Sequence, residues 1–96
     1  WSRPAAQVHD LIRGCDPQPG AHTAWRGAPL RLYEPRRVEA PARAAPGTVL
    51  AVEDEGVTVA ARDGAVRCAR ARDGGAKAAA AEVARAVEIE PGACLG

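Results

Sequence analysis

Apolar residues recur at two different spacings along this chain, and the change of spacing marks its elements. Val8, Leu11 and Ile12 fall at i, i+3 and i+4, a single stripe of a short helix. Ser2 reads as its cap and Pro4 suits its first turn, while Gly14 and the two prolines beyond it stop the run. The predicted span is 4–13, with Gln7, Asp10 and Arg13 turned to water. From Thr23 onward the period falls to two. Thr23–Arg26 ends at Gly27, and Leu30 and Leu32 then alternate with Arg31 and Tyr33, which implies one buried face. Residues 35–46 carry no period and read as an exposed connection, with room for a short edge strand near Arg37-Val38-Glu39.

After Pro46-Gly47 the alternation sharpens. Thr48–Glu53 is a predicted strand and Asp54-Glu55-Gly56 a turn; Val57, Val59 and Ala61 then alternate with Thr58, Ala60 and Arg62. Asp63-Gly64 is a hairpin signal, because glycine supplies the positive φ such turns demand. Val66 and Cys68 alternate with Arg67 and Ala69. Glycines at 47, 56, 64 and 74 punctuate the run at the intervals of a small barrel or sandwich. Four alanines from Ala78 lead into Val83 and Val87 on one face, predicting a helix over 78–87 with Glu82 and Arg85 solvated. A Pro91-Gly92 turn lies between Ile89 and Leu95. The fold class expected is therefore mainly β: about five short strands between 22 and 71, with a leading and a trailing helix. A small, partly open five-stranded barrel of the oligonucleotide/oligosaccharide-binding (OB-like) type fits, and so do other small barrels.

Composition narrows this to one domain of 96 residues. Such a chain buries roughly 60–70% of its unfolded surface. Large side chains are scarce: there is no Phe or Met, one Tyr and two Trp, so the core must rest on Val, Leu, Ile and Trp25. No stretch reaches the roughly 20 apolar residues of a membrane helix, and no signal peptide is recognisable. The Trp1 start suggests a piece of a longer protein. Cys15, Cys68 and Cys94 are odd in number, form no CxxC pair and have no metal-ligand spacing with His9 or His22. Free thiols in a reducing, cytoplasmic setting are the simplest reading, and no metal is expected.

Net charge is +1, which excludes a global basic field. Residues 1–50 nevertheless carry seven Arg against four acids, and residues 51–96 six basic residues against eight acids. Twelve of the thirteen basic residues are Arg, suited to bidentate pairing with phosphate. The plainer source of that bias is a GC-rich genome, since Ala, Gly and Pro are abundant as well.

Several segments together resemble one known family. Ile12-Arg13 followed by Pro17-Gln18-Pro19-Gly20-Ala21 resembles the "I-R-x-x-x-P-x-P-G-A" opening of the C-terminal domain of the methionyl-tRNA formyltransferase family, which includes related 10-formyltetrahydrofolate-using enzymes. Gly27, Leu30 and Leu32 resemble its "dG-x-x-L-k-I" strand, and Pro46–Leu50 its "PGtvl" start. Val57–Ala60 with Asp63-Gly64 is similar to its "l-x-V-a-t-x-D-G" hairpin, and Pro91–Gly96 to its "pG-x-x-LG" end. Where tRNA-acting members usually carry an aromatic, as in "NPWPG", this chain has Gln18, which leans toward members with small formyl-folate or amine substrates.

The resemblance implies that residues 1–96 are a single non-catalytic C-terminal barrel domain excised from a longer chain. Catalysis would belong to an N-terminal Rossmann-like formyltransferase domain, the partner of this one, with an Asn, a His and an Asp around 10-formyltetrahydrofolate. That cofactor would belong to the parent enzyme, and none would be bound here. No catalytic residue is assigned: His9 and His22 lack an adjacent nucleophile or orienting carboxylate, and Asp16 reads as a turn residue. This domain would shape or support the substrate site. The alternative is a barrel that holds tRNA without reading sequence, through Arg26, Arg31, Arg36, Arg37 and Arg43, with Tyr33 as an exposed stacking platform and Trp25 in the core.

Overall fold

A computed structural model describes residues 1–16, 21–39 and 44–96. Helix α1 spans Ala5–Cys15, running two residues past its predicted end and through Gly14. Its stripe is only partly used: Ala5, Val8 and Ile12 are buried, whereas Leu11 is 57% exposed. Ser2 does not cap it. Pro4 occupies the cap position without a side-chain bond, and the orphan Ala5 N–H donates instead to Asp63 Oδ1 at 2.7 Å, from the far end of the sheet's central hairpin.

Strands β1 (Ala21–Trp25) and β2 (Ala28–Val38) form a hairpin across Arg26-Gly27. Both turn residues have positive φ, 50° and 80°, as a two-residue turn matched to the strand twist requires. The expected pieces at Leu30–Tyr33 and near Arg37 are one strand that continues through Pro35. Glu34 makes this possible by taking φ 54° and donating its N–H to Asp16 Oδ2 at 2.9 Å, while Tyr33↔Arg70 and Pro35↔Cys68 hold the register on either side.

Strands β3 (Val49–Glu53), β4 (Gly56–Ala60) and β5 (Ala65–Arg72) follow as an antiparallel meander. The two-residue strand β6 (Ala78–Ala79) lies beside the end of β5 and leads directly into helix α2 (Ala80–Ala86), shorter at both ends than the predicted 78–87. Apolar residues of both helices and of the sheet join in a single core. Strand β4 is buried on both faces, Thr58 and Ala60 included, so its alternation marks two covered sides rather than one wet one.

The sheet order is β1-β2-β5-β4-β3, with β6 alongside β5. This corrects the expected OB-like barrel: β1 and β3 are two edges that do not pair, and the sheet is open. The C-terminal tail stands where a closing ladder would have to form. Val49 N–H donates to Ala93 O at 2.7 Å, Leu95 N–H to Gly47 O at 2.8 Å, and Gly96 N–H to Ala24 O on β1 at 2.8 Å. With both edges engaged by the tail, the continuous edge-to-edge hydrogen bonding of a closed barrel is absent.

Candidate functional site

The strand that carries most of the predicted basic residues also separates them. Arg26 sits in the β1–β2 turn, its guanidinium 4.9 Å above the Trp25 ring and 3.7 Å from Glu88 Oε2. Arg36 and Arg37 lie exposed near the other end of β2. Arg26 and Arg36 thus stand toward opposite ends of β2. Arg43 falls outside the described residues.

Pairing with β5 assembles a different set. Leu30 and Leu32 face the core, which turns Arg31 to the opposite face, directly across from Arg72. Arg36 likewise stands across from Arg67. Like charges placed directly opposite each other destabilise a sheet. Some charge here is balanced: Arg70 Nε lies 3.6 Å from Glu34 Oε2, and Lys77 Nζ 3.8 Å from Asp16 Oδ1. Arg36 and Arg67 have no ion pair among the described residues, and with Glu34, Pro35, Glu55 and Ala69 they line a shallow cavity of about 230 Å³. The Arg72 Nε atom is buried without a hydrogen-bond partner among the described residues.

Tyr33 departs from its expected role as an exposed platform. It is 2% exposed and lies beneath Lys77, whose Nζ is 4.2 Å from the ring centroid. Trp25 is half-buried against the core and donates its Nε1–H to Val87 O at 2.8 Å. His9 lies on α1 with Nδ1 3.1 Å from Asp10 Oδ1, and His22 is exposed on β1. Asp16 is more than a turn residue: it ties the end of α1 to the Glu34 amide and to Lys77. Burial pushes the Cys68 thiol up to about 12, and the nearby Asp16 charge adds to the rise. Among the described residues, no three His, Cys, Asp or Glu side chains converge on a metal site.

The alternation of β5 sets Arg67 out of phase with the buried Val66 and Cys68, but Arg72, five positions on, falls in their phase and was not singled out from the sequence. Their places opposite Arg36 and Arg31 were not legible, because those partners lie 31 and 41 positions away along the chain.

A larger concavity lies elsewhere, between α1 and β1. It has a volume of about 690 Å³, and Val8, Leu11, Ile12 and Leu32 line it together with Trp1, Arg3, His22 and Thr23.

Residues 1–88 match the protein family described as "Formyl transferase, C-terminal domain". The chain is 42% identical over 77 residues to the methionyl-tRNA formyltransferase of Paraburkholderia phymatum, covering 80% of this chain and 24% of that protein. The enzyme of the same name from Variovorax paradoxus is 38% identical over 98 residues, covering all of this chain and 31% of the relative. Among solved structures, HypX from Aquifex aeolicus, in complex with tetrahydrofolic acid, is 35% identical with a TM-score of 0.60. That similarity covers 72% of this chain and 13% of the HypX chain. The chain thus spans less than a third of the length of these relatives.

Proposed function

The chain belongs to the formyl transferase C-terminal domain family, and from that membership we propose that it is the non-catalytic C-terminal domain of a protein whose preceding domain transfers a formyl group from 10-formyltetrahydrofolate. In this reading it supports the acceptor side of the substrate site. The observation that carries it is the shape of the match, which runs through nearly the whole chain yet meets only a minor part of each relative. The folate-bound structure of one relative supports the link to a folate formyl donor. The three unpaired cysteines support a reducing, cytoplasmic setting.

The experiment is an assay of the full-length protein for formyl transfer to methionyl-tRNA and to small amines. Transfer is expected to require the preceding domain. Deleting the residues that correspond to 1–96 is expected to raise the acceptor KM by about tenfold or more while 10-formyltetrahydrofolate still binds, because the lost interactions are with the acceptor. A full-length protein that neither binds nor uses the formyl donor overturns the reading.

A second reading, that the domain holds tRNA, draws support from the Arg36–Arg67 pair across β2 and β5, which lines a surface cavity. A sheet that keeps like charges opposite each other gains when a polyanion lies across them. If phosphates bind there, Arg36→Ala with Arg67→Ala lowers the log–log salt slope of tRNA binding by about 1.4–1.8, at roughly 0.7–0.9 per contact. An unchanged slope excludes that pair.

A further inference from the structure

The groove between α1 and β1 combines an apolar floor with an unpaired strand edge. Its side walls are Leu11, the one large aliphatic side chain exposed among the described residues, and β1 itself, which among those residues pairs only with β2. The Ala24 carbonyl accepts the Gly96 N–H, so the Ala24 peptide groups point away from β2. This agrees with Ala24 standing opposite Pro29, which has no N–H to offer. His22, two residues earlier, shares that orientation. The N–H groups of His22 and Ala24 therefore face the groove, and the tail takes only the Ala24 carbonyl.

We propose that this groove seats an extended segment of the polypeptide that precedes Trp1 in the full-length protein, added as a short strand to the open edge of β1. The inference rests on the reading of this chain as the C-terminal part of a longer protein and names the surface that meets the rest. Three observations select that occupant. Relatives carry more than two thirds of their length outside the region matched here, and the matched family is a C-terminal domain. Trp1 lines the groove and is fixed to β1 through its Nε1–H bond to Thr23 Oγ1 at 3.0 Å, so the incoming chain arrives beside the open edge. Finally, the tail covers the β1 edge only at the Ala24 carbonyl, and a strand edge left open beside an exposed aliphatic side chain is a liability that folded proteins cover. Strand addition satisfies the backbone groups and gives alternate side chains the apolar floor.

The test uses the full-length protein carrying a benzophenone amino acid in place of Leu11, an exposed position that accepts a large side chain. Irradiation is expected to give an intramolecular cross-link to a peptide N-terminal to Trp1. Cross-links only to a second copy or to added tRNA overturn the proposal, as does the absence of any. Hydrogen exchange on the unmodified full-length protein supplies a second readout free of any variant. The His22 and Ala24 amides are expected to exchange at least about tenfold more slowly than those of the exposed turn at Gly74-Gly75; equal rates overturn the proposal. Formyl transfer measured on the same protein separates the two levels. Transfer without this contact sinks the groove assignment alone, and contact without transfer sinks the functional reading alone.

Discussion

Two residues show how local environments set properties that residue type does not. Cys68 is 1% exposed in the centre of the sheet, and its thiol is pushed up to about 12 from an ordinary value of 9.0. The unfolded chain therefore loses this proton first. Below about pH 9 the group leaves stability unaffected, and between pH 9 and 12 stability falls by about 1.4 kcal/mol per pH unit. Denaturant titrations across that range are expected to show the decline, and Cys68→Ala, although less stable at pH 7, should flatten it. An equally steep decline in the variant would place the alkaline sensitivity elsewhere. Glu88 is the second case. It closes α2 in the left-handed region at φ 63°, with Ile89 N–H bonded to Ala84 O and Glu88 N–H to Arg85 O, an arrangement that normally favours glycine. Its ion pair with Arg26, at 3.7 Å between largely exposed side chains, offsets little of the strain. Glu88→Gly is therefore expected to raise stability by about 1 kcal/mol, read as a higher denaturation midpoint at unchanged m-value.

Elements were legible where their signal was local. The β1–β2, β3–β4 and β4–β5 hairpins stand where the turn residues place them. Helix α1 also forms where its apolar stripe lies, though its ends differ. The end of α2 lies within one residue of its expected place, but its start was set two residues early because Ala78-Ala79 pair with β5 as β6, and β2 was split because Pro35 reads as a breaker when Glu34 is not known to absorb the distortion. The Asp63-Gly64 hairpin forms for a different reason from the expected one. Gly64 is not among the residues with positive φ, while Asp63 is held by its bond to the start of α1. That bond makes the helix start depend on a turn 58 residues away in sequence. Asp63→Ala is expected to cost about 1 kcal/mol, the usual value of a lost N-terminal acceptor, with faster exchange confined to the first turn of α1. Asp63→Asn keeps an acceptor oxygen and should restore most of the loss; if both variants behave alike, the turn rather than the cap is what matters.

At the scale of the molecule, strand count and spacing do not specify whether a sheet closes, because closure depends on which edges meet. Here the residues that decide it are at the end of the chain. Leu95 is buried in the core at 4% exposure, its N–H bonds to Gly47 O, and Gly96 reaches β1, so the last residues stitch both edges of an open sheet. The Arg–Arg pairs are set at this scale too, since they exist only because β2 lies beside β5. Gly47 is the point at which the stitching is most exposed to change. Its φ is 91°, and a Cβ there would stand 2.6 Å from Leu95 O, a backbone atom that cannot swing aside. Gly47→Ala therefore adds left-handed strain and pushes the tail off β3, for an expected loss of about 2–4 kcal/mol. Leu95→Ala removes the buried anchor without touching the turn and is expected to cost about 2–4 kcal/mol. If the tail is what joins the two edges, both variants release the Gly96 bond, and amide exchange at Gly96 rises together with that at Leu95 and Val49. Loss of stability with Gly96 still protected would mean that β1 holds the terminus independently of β3.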